Sequence, residues 1–440
     1  MLLRMARKPT VVLISDVTDL DHEGRGVAHH DGKTAFIADA LPGERVEWEI
    51  CKRRRNFDEG RLRAVLEPSA DRVAARCMHF GVCGGCVLQH LAPERQLVFK
   101  QTHLLQAFER IGRVRPASVL APLSADHWNY RRRARLAARW VPAKGKTVVG
   151  FRERAATYIA DLTRCEVLQP PFDRLIEPLA ALITALSIRD SVPQIEIAAG
   201  DTGAAMIMRV LKPLTTADES LLGSFADTHA ITVLLQPGGY DSIAYFAGPR
   251  SPLVYALPEF DVSFEFQPND FVQVNARLNR AMVSRAVELL APSSDERVLD
   301  LFCGLGNFSL PLARRSKHVT GVEGDAGLIA RARHNAQRQG FTNVSFVAAD
   351  LAKQPEQAPW AKQPYDKVLL DPPRTGAREV LPVIAESGAK RVVYISCHPG
   401  SLARDAGILV HEHGYTLQAA GVMDMFPHTA HVESVAVFER

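Results

Sequence analysis

Residues 278–395 alternate apolar runs of strand length with amphipathic runs of helical length, and no other feature of the chain constrains its fold as much. Segments 297–301, 319–323, 344–348, 367–370 and 392–395 are short and largely apolar, while 278–290 and 328–338 carry a helical period. Strands apolar on both faces and joined by helices predict a parallel sheet covered on both sides. Neither an internal repeat nor a low-complexity segment is visible.

The first of these strands runs into Asp300-Leu301-Phe302-Cys303-Gly304-Leu305-Gly306-Asn307. A tight glycine turn after the first strand lets backbone approach a ligand closely, at the edge where doubly wound sheets bind cofactors. The spacing departs from the dinucleotide fingerprint, because Ser309 stands where its third glycine would be. The next strand closes on Glu323, 23 residues beyond Asp300 (323 − 300), a distance at which a carboxylate can accept both ribose hydroxyls. Asp350 follows the third strand, placed to receive a hydrogen bond from an adenine amino group. Three signals in register predict a nucleoside cofactor, and the form of the turn favours S-adenosylmethionine over NAD.

The fourth strand delivers Asp371-Pro372-Pro373-Arg374. Amino-group methyltransferases carry an aromatic residue at the last of these positions, so Arg374 disfavours amine methylation. The fifth strand ends in Ser396-Cys397, beside His398. A cysteine just past a strand, at the edge where catalytic groups collect, suits a nucleophile better than a core residue. Uracil chemistry would need one. C5 of the ring is too electron-poor to attack a sulfonium methyl, but a thiolate adding to C6 makes it nucleophilic. The C5 proton must then leave, which requires a base. Glu433, His431 and His428 are the candidates; Cys303, inside the cofactor turn, is a lesser rival to Cys397 as nucleophile.

A length of 440 residues calls for two or three domains. With 47% hydrophobic and 23% charged residues the chain reads as soluble and globular, and a net charge of +4 permits a nucleic-acid partner without announcing one. Arg4, Arg7 and Lys8 flank an apolar run too short for a signal peptide, and no stretch would span a bilayer, so a cytoplasmic protein is expected. Residues 10–68 show short β-rich runs between glycine turns, which suits an OB-like barrel. Lys52, Arg53, Arg54 and Arg55 with Phe57 fall on one of its loops, where a solvated hairpin tip is the plainer reading. Between Tyr130 and Cys165 ten Lys or Arg face two acids, Glu153 and Asp161. Strand alternation there puts Arg131, Arg133 and Arg135 on one face, predicting phosphate contact. Residues 172–259 mix helical and strand-like segments and carry no nameable chemistry.

These pieces together resemble the RNA uracil-C5 methyltransferase family. The matching residues are Phe264 to Asn275, Asp300 to Asn307, Asp371 to Arg374, Ile395-Ser396-Cys397 and His431-Val432-Glu433-Ser434. The resemblance implies that Gln273, Phe302, Asn307, Glu323, Asp350 and Asp371 contact S-adenosyl-L-methionine, that Cys397 is the nucleophile and that Glu433 is the base. Gly24-Arg25-Gly26-Val27-Ala28 with Pro42-Gly43-Glu44 looks like a TRAM domain, an RNA-binding module carried by the branch of the family that acts on 23S ribosomal RNA. The implied architecture is multidomain: an OB-like β-barrel (TRAM) at 10–68, a central α+β domain at 69–265, and a Rossmann-like α/β methyltransferase domain at 266–440. Residues 93–125 would pack on the catalytic domain.

Seven cysteines in a chain of this kind argue for metal binding or catalysis rather than a disulfide framework. Cys77, Cys83 and Cys86 are followed much later by Cys165. Spacing alone leaves structural zinc and an iron–sulfur cluster both open. The resemblance decides for a 4Fe–4S cluster on these four. Methyl transfer moves no net electrons to or from the protein, which favours a structural role over a redox one, and His79 and His90 read as ordinary polar residues. Three other readings compete: a transfer-RNA uracil-C5 methyltransferase, a catalytically inactive iron–sulfur RNA-binding protein, and an amino-group methyltransferase. Joint retention of Gln273, Asp371, Cys397 and Glu433 speaks against inactivity. No obligate protein partner is implied.

Overall fold

The computed structural model describes residues 11–154, 156–353 and 355–440; Arg4, Arg7 and Lys8 lie outside them. The chain divides into two compact units, one running to Lys100 and taking in Phe426–His431, the other comprising Gln101–Met425 and Val432–Arg440. Among the described residues no helix is long and apolar enough to cross a membrane.

The first unit opens with five strands, β1 (Val12–Leu20), β2 (Gly26–His30), β3 (Lys33–Ala38), β4 (Arg45–Arg53) and β5 (Phe57–Glu67). They close into a barrel in the order β1-β2-β3-β5-β4. Alternate side chains, Val17, Ala28, Ile37, Val46 and Trp48 among them, fill its interior. Trp48 is fully buried and donates from Nε1 to the Ser15 hydroxyl at 3.1 Å. Its ring explains Gly60 on the facing strand, where a Cβ would come within 2.5 Å of it. Gly26 begins β2, at a position where a Cβ would strike Val17 and Ala40. Lys52, Arg53 and Arg55 are exposed around the tip of the β4–β5 hairpin. A loop with the three clustered cysteines and helix α1 (Pro93–Ala107) follow.

The second unit contains β6 (Ser118–Val119) and then a six-stranded sheet: β7 (Arg133–Val141), β8 (Lys146–Gly150), β9 (Gln194–Ala199), β10 (Ala204–Arg209), β11 (Thr232–Gln236) and β12 (Ala244–Ala247), in the order β12-β11-β10-β9-β7-β8. It is accompanied by α2 (Ile176–Ala185) and α3 (Thr216–His229). A capping box between Thr215 and Asp218 starts α3. The side chains of the arginine-rich stretch pair with groups of the same unit. Arg133 and Arg135 both turn onto Glu196 of β9, at 3.5 and 2.9 Å, and Arg131 Nε donates to the Arg133 carbonyl at 3.0 Å. Arg132, buried, pairs with Asp201 at 2.7 Å, while Lys144 and Lys146 share Asp161. These guanidiniums are engaged inside the unit by acids far away in sequence.

A hairpin of β13 (Leu253–Leu257) and β14 (Val262–Phe266) leads to α4 (Ala276–Leu290). Asn275 caps α4 by accepting from Leu278 N, and a stripe of Leu278, Met282, Val283, Ala286 and Leu290 is buried at helical spacing. The remainder alternates β15 (Arg297–Leu301), α5 (Ser309–Ala313), β16 (His318–Glu323), α6 (Ala326–Arg338), β17 (Val344–Ala348), β18 (Lys367–Leu370), α7 (Leu381–Glu386), β19 (Arg391–Ser396) and α8 (Pro399–His411), then β20 (Thr416–Met423) and β21 (Glu433–Glu439). They form one sheet in the order β17-β16-β15-β18-β19-β21-β20-β6, parallel from β17 to β19. Strands β15, β18 and β19 are buried almost throughout, as apolar runs covered on both faces must be. Leu104, Phe108 and Val114 share their core, and β6 pairs with β20. Chain order reverses between β15 and β18, which puts the switch point, where such sheets bind ligands, above those two strands.

Candidate active site

Every cofactor candidate but Gln273 sits at the carboxyl edge of the parallel strands. The turn after β15 is built from left-handed backbone: Phe302 at φ 62°, Gly304 at 54° and Gly306 at 86°. Phe302, half-buried, occupies a region that side chains rarely adopt. A Cβ at Gly304 would meet nothing within 4 Å, so the turn has open space over it, whereas at Gly306 it would press on Phe346 at 3.2 Å. At the end of β16 Glu323 is held by two backbone donors, Gly304 N at 3.2 Å and Asp325 N at 3.0 Å. Asp350, exposed beyond β17, accepts from Ala352 N at 3.0 Å and pairs with Lys353, contacts that hold its carboxyl below the usual range. These residues fit S-adenosylmethionine: a turn with room above it, an anchored acid for the ribose, and an accessible acid farther along the edge.

On the other side of the switch point Asp371 follows β18 and accepts from Gln273 Nε2 at 3.2 Å. Cys397 follows β19 in a tight turn in which the Ser396 hydroxyl accepts from His398 N at 3.2 Å. His398 caps α8, its Nδ1 accepting from Ser401 N at 3.1 Å; burial and the nearby Arg374 and Arg404 lower its pKa. β19 runs antiparallel to β21 with Ser396 opposite Ser434. Cys397 and Glu433 adjoin this last pair, and the Glu433 carboxylate lies near enough to act on the Cys397 thiol.

The electrostatics follow from burial. Glu433 is buried, and both it and Asp371 are pushed up from the usual carboxylate range by desolvation; the Asp371 charge raises Glu433 further, while the Gln273 hydrogen bond opposes the shift at Asp371. The Cys397 thiol is pushed up to about 11 by burial and by the Glu433 and Asp371 carboxylates, with Arg374 opposing. The amino end of α8 also opposes, since a helix amino terminus favours an anion. Cys303 is almost wholly buried, and desolvation with Asp300 and Glu323 suppresses its thiolate, which removes it as a rival nucleophile. Of the three base candidates, Glu433 alone starts a strand beside Cys397; His428 and His431 belong to the 426–431 loop of the first unit.

Asp300 is fully buried; Ser309 donates to its Oδ2, and Oδ1 has no partner among the described residues. Burial pushes its carboxyl up to about 7. An unfolded carboxyl ionises near 4, so between about pH 4 and 7 the native state keeps a proton that the unfolded chain has lost. Stability is therefore lost as pH rises through this window and stays lost above it. The Asp300→Asn variant should be stabilised over wild type at pH 8 by up to about 4 kcal/mol, with little gain near pH 4. Urea denaturation at the two pH values checks this; equal effects at both would contradict it.

Two anchoring groups escaped the sequence reading. Asp405, fully buried on α8, accepts from Ala377 N at 2.8 Å and from the Tyr394 hydroxyl at 2.7 Å. Its neighbour Arg404 donates to Thr375 O at 2.9 Å, so together they pin the loop after Asp371. The signal was available: one acid inside the buried Leu402–Leu409 face of a helix. Tyr255 and Asn279 hold the Asn307 amide, at 3.1 and 3.0 Å from its Oδ1. Of the expected metal ligands, Cys77, Cys83 and Cys86 share a loop in the first unit, where Cys83 N donates to His79 O at 2.9 Å and Gly85 N to Cys83 Sγ at 3.4 Å. Cys165 is buried in the second unit. Among the described residues no group of three or more His, Cys, Asp or Glu is placed to hold a single metal ion.

Comparison with known proteins agrees with this geometry. A family model described as tRNA (Uracil-5-)-methyltransferase matches residues 256–440, and a TRAM domain model matches 11–62. A 23S rRNA (uracil(1939)-C(5))-methyltransferase RlmD from Alkalilimnicola ehrlichii is 54% identical over 438 residues, covering 99% of this chain and 98% of the relative. The chain belongs to the RlmD family of uracil-C5 methyltransferases. A second RlmD, from Xanthomonas axonopodis pv. citri, is also 54% identical and covers 96% of each chain. Among solved structures, Pyrococcus abyssi tRNA (uracil-54, C5)-methyltransferase in complex with S-adenosyl-L-homocysteine superposes with a TM-score of 0.75 over 97% of this chain and all of that one. At 24% identity that likeness establishes the fold. As an RlmD-family chain, the protein is an S-adenosylmethionine-dependent methyltransferase with a TRAM barrel at its amino end.

Proposed function

We propose that the protein methylates C5 of one uridine in 23S ribosomal RNA, giving 5-methyluridine through a covalent bond between Cys397 Sγ and uracil C6. The observation that carries this reading is the pairing of Ser396 with Ser434, which brings Cys397 and Glu433 together at the ends of their strands, with Asp371 also acting on the thiol. The nucleotide is taken out of its stack, since C6 is otherwise hidden; the largely exposed ring of Phe271, two residues before Gln273, offers it a stacking surface. Cys397 adds to C6, and the electron pair moves toward O4, leaving C5 nucleophilic. S-adenosylmethionine supplies the methyl group at its sulfonium. Glu433, beside the nucleophile at the start of β21, takes the C5 proton. Expulsion of the Cys397 thiolate then restores the C5–C6 double bond.

Gln273, Phe302, Asn307, Glu323, Asp350 and Asp371 bind the methyl donor on this reading. The ribosomal substrate rests on the names of relatives matched over nearly the whole chain, and it sets the activity in the cytoplasm. The test is transfer of labelled methyl to unmodified 23S ribosomal RNA and to unmodified transfer RNA. Label in ribosomal RNA alone is expected; label in transfer RNA would overturn the substrate, and none in either would overturn the activity.

The same reading gives Cys77, Cys83, Cys86 and Cys165 to a 4Fe–4S cluster. A single zinc ion needs its donors to converge on one point, whereas a four-iron cluster spreads its thiolates over four metals. The Gly85 N–H aimed at Cys83 Sγ would favour the thiolate form there. Replacing Cys83 with serine should strip iron from anaerobically purified protein and weaken RNA binding while S-adenosylmethionine binding persists. Unchanged iron content would contradict the ligand assignment, and unchanged RNA affinity would contradict its role.

A further inference from the structure

Asn307 ends the cofactor turn, half-exposed, and its amide is tied on one side only. Its Oδ1 accepts from the Tyr255 hydroxyl at 3.1 Å and from Asn279 Nδ2 at 3.0 Å, while its Nδ2 donates to Asn279 Oδ1 at 2.9 Å. Tyr255 and Asn279 are both almost wholly buried. The Tyr255 ring is fixed between elements: it stacks on Phe264 at 4.8 Å and lies under the Arg132 guanidinium at 5.5 Å.

In this pairing the Tyr255 hydroxyl and Asn279 Nδ2 occupy both lone pairs of Asn307 Oδ1. The carbonyl is thereby saturated and one Nδ2 hydrogen remains. Asn307 can therefore offer a ligand a donor and nothing else. With the ribose assigned to Glu323 and the adenine to Asp350, the cofactor group left to accept it is the carboxylate of the amino-acid part. That anion most needs a donor in a site already lined by Glu323 and Asp371. We infer that Tyr255, with Asn279, is a positioning residue that fixes Asn307 as a hydrogen-bond donor to the carboxylate of S-adenosylmethionine. The inference rests on the cofactor reading above.

The test uses the full chain and two ligands in calorimetry: S-adenosylhomocysteine, and 5′-methylthioadenosine, which lacks the amino-acid part. The Tyr255→Phe variant keeps the ring and loses only the hydroxyl. It should bind S-adenosylhomocysteine roughly 5- to 10-fold more weakly, the range of one hydrogen bond, and 5′-methylthioadenosine as wild type does. KM for S-adenosylmethionine should rise in step, with kcat at saturation within about twofold. Asn279→Ala should repeat the pattern, and thermal melting of both variants checks that they are folded. An equal loss for both ligands, or no loss for either, would overturn the inference. Failure of the wild type to bind S-adenosylhomocysteine would instead overturn the cofactor reading beneath it.

Discussion

Replacing Cys397 with alanine should lower methyl transfer by at least about 10⁴-fold, the scale lost when a covalent nucleophile is removed, while S-adenosylhomocysteine still binds. Without addition to C6 the uracil C5 has no means of attacking a methyl group, and no neighbouring side chain can substitute. Cys303 is buried under the cofactor turn with its thiolate suppressed, and His398 has its Nδ1 committed to the cap of α8. Activity in this variant should not be rescued at high pH, whereas wild-type kcat/KM should climb as pH rises through the neutral range. The sign follows from the thiol: burial and two acids push it up to about 11, so each unit of pH below that value multiplies the thiolate fraction of the free enzyme about tenfold. An active alanine variant would return the Asp371-Pro372-Pro373 loop to amine chemistry.

The Glu433→Gln variant should turn over about 10²- to 10⁴-fold more slowly, the usual contribution of a positioned base, and should trap itself. Addition and methyl transfer precede the step that needs the carboxylate, so protein joined to methylated RNA should accumulate as a slow band on a denaturing gel. Its yield should approach one RNA per enzyme, and it should vanish when Cys397→Ala is added. Glutamine preserves the size of the side chain and removes the negative charge that opposes Asp371, so the fold should not suffer. Normal turnover would move the base elsewhere, with His431 the next candidate by sequence position.

The order of strands and the acids at their ends were legible because period and register are local properties of a sequence. A buried parallel strand must be apolar throughout, so Asp300, Glu323, Asp350 and Asp371 stand out where each strand stops. The approach of Cys397 to Glu433 was legible only through family resemblance, because the two residues lie 36 positions apart (433 − 397) and meet through an antiparallel strand inserted into a parallel sheet. The ion-pair partners of the basic stretch were hidden for the same physical reason. Counting acids within a window of sequence found Glu153 and Asp161, but the groups that engage Arg132, Arg133 and Arg135 are Asp201 and Glu196, brought in by another loop and a neighbouring strand. Tyr255 gave no signal in its own hairpin, since an aromatic residue in a strand reads as core until its hydroxyl is seen to reach the cofactor turn.

The most direct measurement is tritium release from RNA labelled at C5 of uridine, run beside methyl incorporation from S-adenosylmethionine. Methylation at C5 through Cys397 and Glu433 predicts one tritium released to water for each methyl group transferred, and no release by the Cys397→Ala variant. Methyl transfer without tritium release would put the methyl on another atom and contradict the account.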